Sequence, residues 1–96
     1  MVVHIVMFAF KDENKENNIK IIKELLEGLI MKIDVIKSLE VGINFDTAPR
    51  SMDLSLYTTF NTKEDLNSYV VNEEHQKVVS VIKEVTEYSK VVDYIV

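Results

Sequence analysis

Residues 37–60 read KSLEVGINFDTAPRSMDLSLYTTF, and their pattern decides the fold. Leu39, Val41, Ile43 and Phe45 alternate with Ser38, Glu40, Gly42 and Asn44, which is the period of a strand with one buried face. Leu54, Leu56, Thr58 and Phe60 alternate in the same way with Ser55, Tyr57 and Thr59. The intervening DTAPRSMD contains the only proline of the chain and reads as a loop. Two consecutive strands therefore occupy the middle of the sequence.

Upstream of them, Ile19, Ile22, Leu26, Leu29, Ile30 and Ile33 recur at three- and four-residue steps. That spacing predicts an amphipathic helix over roughly residues 14–32. The polar KDENKENN before it offers Asp12 and Asn14 as helix N-caps. Earlier still, Val2 to Phe10 is β-branched and aromatic and reads as a first strand. Downstream, Thr62 is placed to cap a helix, with Asp65 three residues on as a near capping box. A second helical stretch carries Val78, Val79, Ile82, Val85 and Thr86 on one stripe, and YSKVVDYIV closes the chain as a last strand. The order is β-α-β-β-α-β, an α+β ferredoxin-like pattern with a four-stranded antiparallel sheet and its helices on one face. With 96 residues and no linker, repeat or low-complexity segment, residues 1–96 form one domain.

Composition narrows the function. Hydrophobic residues make up 47% of the chain and charged residues 28%, as in a globular domain. The formal net charge of −5 argues against nucleic acid as a partner, because no basic face is available to neutralise phosphates. The absence of cysteine removes disulfides, thiolate metal sites and cysteine nucleophiles together, and fits a reducing cytoplasm. The apolar N-terminal stretch is too short to span a bilayer, so no membrane partner is expected.

The first strand is apolar on both faces: Val3, Ile5, Met7 and Ala9 on one, Val6, Phe8 and Phe10 on the other. The last strand repeats this, with Val92, Tyr94 and Val96 opposite Val91 and Ile95. Helices can cover only one face, so the other is expected to be covered by a second copy of the sheet, giving a homodimeric α/β barrel.

His75 heads the apolar stripe of the second helical stretch and is expected to point inward. Tyr69 lies six residues earlier. On a continuous helix those residues are separated by about 240° around the axis and cannot meet. They converge only if the helix breaks between them, and Asn72 is the expected break. A neutral imidazole accepts a proton near pH 7, and a phenol donates to a carbonyl oxygen; together they suit proton abstraction beside a carbonyl. His75 and Tyr69 are therefore the candidate catalytic pair, and His4 and Tyr57 the candidate substrate-binding residues. The contrasting reading makes His75 a packed core histidine. Two histidines without paired spacing do not make a metal site. Asp93, if it faces inward, needs a partner.

HIVMFAFK at the start, IKSLEVGINF in the middle, Tyr-x5-His at 69–75 and VVDYIV at the end resemble the stress-responsive dimeric α/β-barrel domain, nearly end to end. The chain departs from the members' pattern in reading NEEH, without the proline often found before the histidine, and DVIKSLE, without one before the second strand. The resemblance implies a ferredoxin-like protomer paired into a barrel. The family holds both stress-induced proteins without established catalysis and cofactor-free polyketide cyclases. By resemblance to those cyclases, His75 would act as general base, Tyr69 would hold a substrate carbonyl and His4 would line the pocket. Two functions are expected from this: a binder of a small apolar or carbonyl-bearing molecule performing cofactor-free, cyclase- or lyase-like proton transfer, or a non-catalytic stress-response or interaction protein.

Overall fold

The computed structural model describes residues 1–96. Its elements run β1 (Val2–Phe10), α1 (Lys15–Gly28), β2 (Ser38–Ile43), β3 (Leu54–Phe60), α2 (Lys63–Val71), α3 (Glu73–Val85) and β4 (Thr86–Ile95). The sheet order is β2-β3-β1-β4 and every pair is antiparallel. This is the ferredoxin-like βαββαβ fold, with its second helical segment in two pieces.

The strand registers decide which residues share a face. Val6 lies opposite Leu56 and Val91, and Phe8 opposite Leu54 and Ser89. The even-numbered residues of β1 thus look toward the helices. Val2, Phe8 and Phe10 join Leu54, Leu56, Phe60 and the helix residues Ile22, Leu26 and Ile82 in one core. The odd-numbered residues look the other way. Ile5 there lies between Tyr57 and Val92, and Met7 between Ser55 and Lys90. Across that face Met7, Tyr57, Tyr88, Val92 and Tyr94 remain exposed. No helix packs on it, so these five side chains have no cover within the protomer, although Val3 and Ala9 of the same row are buried.

Several local features depart from the sequence reading. Asn14 precedes α1 as anticipated, but in the left-handed region (φ 55°) and without a side-chain cap bond. Asparagine tolerates that conformation better than most residues do. The helix tightens into a 3-10 turn at Leu29–Met31, which turns Ile30 outward to 38% exposure. β2 ends at Ile43, so Phe45 is not on its buried face; it stands almost fully exposed at the start of the loop. Thr86 belongs to β4 and not to the helix stripe, although its hydroxyl still donates to the Ile82 carbonyl across the junction.

Candidate functional site

The site begins at the interruption between α2 and α3. Thr62 opens α2, its hydroxyl accepting from the Asp65 N–H. At the other end Asn72 adopts an extended conformation (φ −61°, ψ 136°), and its side chain accepts from the Glu74 N–H at 2.8 Å, capping α3. One asparagine therefore ends one helix and starts the next. The consequence is geometric. The rings of Tyr69 and His75, which a continuous helix would hold apart, lie with centroids 4.3 Å apart.

The same interruption leaves the Val70 carbonyl without an N–H four residues on in a continuing helix. His75 Nδ1 takes that position at 2.9 Å, and the Gln76 side-chain amide donates to the same oxygen at 2.6 Å. A carbonyl only accepts, so Nδ1 carries the proton and Nε2 is the lone-pair nitrogen of the neutral ring. Burial holds the His75 ring below the usual histidine range; the Val70 carbonyl opposes this shift and the charge of His4 adds to it. His75 is therefore a neutral base at physiological pH.

Tyr69 is wholly buried, packed against Phe60 at 5.1 Å between ring centroids. Its hydroxyl has no hydrogen-bond partner. Burial pushes the phenol up to about 12, so it stays protonated and available as a donor. The ring of His4 stands edge-on to Tyr69, with centroids 6.0 Å apart. His4 sits on the helix-facing side of β1, directly opposite Asp93 of β4, whose carboxylate accepts from His4 Nδ1 at 2.5 Å. Asp93 thus has its partner, and the bond leaves Nε2 as the other free nitrogen of that ring.

These groups border a cavity of about 460 Å³ between α3 and the β1–β4 half of the sheet. His4, Tyr69 and His75 form one end of it, and Val6, Phe8, Val78 and Ile82 line its middle. The apolar walls and the few polar groups gathered at one end are the usual makeup of a small-molecule site. The structure thus brings three of the four candidate residues together. Tyr57 is the exception. It lies between Ile5 and Glu40 on the uncovered face, so the sheet separates it from the cavity. Its place in strict alternation with Leu56 and Thr58 was the available signal. No three His, Asp or Glu side chains gather where they could share a metal ion.

A neutral imidazole, an unpartnered phenol and an apolar chamber can together take a proton from a carbon acid while hydrogen-bonding the oxygen that gains charge. A family model described as "Stress responsive A/B Barrel Domain" matches residues 2–96. No curated protein matches the sequence. Among solved structures, a dimeric protein of unknown function with a ferredoxin-like fold from Bacteroides fragilis is 33% identical, with a TM-score of 0.87, over 97% of this chain and 93% of that one. A dimeric ferredoxin-like protein of unknown function from Thermobifida fusca has a TM-score of 0.88 at 16% identity, over 99% of this chain and 90% of that one. A hydroxynitrile lyase from Passiflora edulis has a TM-score of 0.87 at 17% identity, over 99% and 92% of the respective chains. At such identities the last two likenesses concern the fold alone.

Proposed function

The chain belongs to the stress-responsive A/B barrel domain family, and on that footing we propose that it binds a small, largely apolar, carbonyl-bearing molecule and moves a proton on it without a cofactor. The observation that carries this reading is the buried Tyr69 hydroxyl, which has no protein partner and belongs to a residue on the cavity lining, beside a neutral His75. An unpaired buried hydroxyl costs about 1–3 kcal/mol, and a ligand oxygen would remove that cost.

In this mechanism the ligand carbonyl accepts from the Tyr69 O–H. His75 Nε2 takes a proton from the adjacent carbon, and the C–H electron pair moves into an enolate whose oxygen Tyr69 stabilises. The enolate carbon then either attacks a second carbonyl of the ligand, closing a ring whose new alkoxide oxygen takes the proton back from the imidazolium, or is itself reprotonated by the imidazolium. Atoms and charge balance within the ligand and His75. His4, held through Nδ1 by Asp93, lines the same end of the cavity and orients the ligand.

The protomer works as half of a homodimer, its uncovered sheet face set against a second copy to close the barrel. Support comes from the exposed Met7, Val92 and Tyr94 on that face and from the dimeric description of the relative that is 33% identical.

The bond from His75 Nδ1 to a backbone carbonyl favours a second reading, in which the histidine only ties α3 to the end of α2 and the protein is a non-catalytic dimer. Deuterium exchange separates the two. A methyl ketone incubated with the protein in heavy water should lose its α-protons faster than in buffer. Groups of this kind contribute about 10²–10⁴-fold, and the gain should vanish in His75→Gln. Exchange at the buffer rate with the folded wild-type protein, under saturating ketone, would leave only the structural reading.

A further inference from the structure

The cavity has a second end. His75, Val78, Val79, Ile82 and Lys83 all line it, and their spacing is that of a single stripe along α3. The chamber therefore runs parallel to the helix axis. Eight residues separate His75 from Lys83, about 12 Å at the helical rise. The opposite wall runs along β1 from His4 to Phe8. Polar groups occur at both ends of this channel, and the middle is apolar. One end is the closed Tyr69 corner. The other is an exposed mouth where Lys83 and Glu87 meet solvent.

Lys83 is the only lysine or arginine on the lining, and its ammonium is in no ion pair or hydrogen bond, although other lysines of the chain have carboxylate partners. Glu87 shares the mouth without pairing with it. The apolar length between the ends is too great for a compact ligand to contact both. We infer that the channel takes an elongated amphipathic molecule of roughly ten atoms' span, with a ketone or aldehyde oxygen at Tyr69 and an anionic group, a carboxylate or its equivalent, at Lys83. Oxo acids with an aliphatic or aromatic body are the class that fits. This inference rests on the carbonyl-binding reading of the Tyr69 corner and adds to it the far end of the ligand.

Two probes separate the two ideas: a ten-carbon fatty acid with a ketone next to its methyl end, and the methyl ketone of similar length lacking the carboxylate. Both are titrated into isotope-labelled protein and followed by the amide and ring signals of Tyr69 and His75. Both should shift those signals, and the oxo acid should bind more tightly. Lys83→Gln should weaken the oxo acid about three- to fivefold, the size expected for a solvent-exposed ion pair, and leave the ketone unchanged. Glu87→Gln, which removes a like charge from the mouth, should tighten the oxo acid. Added salt should weaken the acid and spare the ketone. Both substitutions lie on exposed side chains, so the fold is retained and an unchanged amide spectrum away from the mouth verifies it. If the ketone binds while Lys83→Gln leaves the oxo acid unaffected, the anionic end is overturned and the carbonyl site stands. If neither compound perturbs Tyr69 or His75, the carbonyl site fails and the inference fails with it.

Discussion

Replacing Tyr69 with phenylalanine should make the free protein more stable and its ligand binding weaker, a pairing of signs that few substitutions produce. The ring would keep its packing, because its contacts with Phe60 and His75 are made by carbon faces. Only the hydroxyl is lost. In the unfolded chain that hydroxyl is hydrated; in the folded protein it is buried and unpartnered, at a cost of about 1–3 kcal/mol. Removing it should therefore raise stability by at least ~1 kcal/mol, which for a domain of this size raises Tm by about 4–8 °C. Differential scanning calorimetry of both proteins at one concentration gives the answer, since a dimer's Tm depends on protein concentration. Binding of a methyl ketone should fall about tenfold, ~1.4 kcal/mol, because its oxygen would lose its donor among largely apolar walls. A drop in Tm of several degrees would refute the reasoning. It would mean that the hydroxyl is satisfied in the free protein, by an ordered water for instance, and that the corner is not poised for a ligand oxygen.

Other outcomes test other parts of the structure. Asn72→Ala removes the cap of α3 and should cost ~1 kcal/mol in chemical denaturation, whereas Asn72→Gly should cost only a few tenths; equal losses would mean that the side-chain bond does not hold the interruption. His75 has a folded pKa below its unfolded value of about 6.5, so its contribution to stability is complete above that pH and is lost as pH falls through the folded value. Denaturation midpoints should accordingly decline below pH 6.5, with a shallower decline in His75→Gln; identical slopes would rule out His75 as the group responsible. Val92→Glu places a charge on the uncovered sheet face and should halve the mass seen by sedimentation, while a wild-type protein that sediments as a monomer at micromolar concentration would sink the dimer.

Much of this architecture follows from local rules that residues obey wherever they sit. The alternation in residues 38–43 and 54–60 places β2 and β3 side by side, and the registers bear it out. Thr62 caps α2 because a hydroxyl there meets the Asp65 N–H, a contact within one turn. Asn72 interrupts the helix for an equally local reason, since its side chain competes for the backbone and caps the segment that follows. That interruption is what allows Tyr69 to meet His75, which a continuous helix would forbid.

What the sequence leaves open depends on contacts between distant residues. Alternation could not assign a face to His4, because β1 is apolar on both sides; its direction was decided when Val6 and Phe8 packed under the helices. The partner of Asp93 is 89 residues away and becomes visible only through the β1–β4 register. Tyr57 was a reasonable pocket residue by type, but the pleat of β3 sends it through the sheet to the uncovered face. Periodicity reports the angle at which a side chain leaves its own element. Which chamber that side chain then enters, and whether its polar atom finds a partner there, is decided by the elements packed against it, and so the unpartnered Tyr69 hydroxyl is a property of the tertiary structure alone.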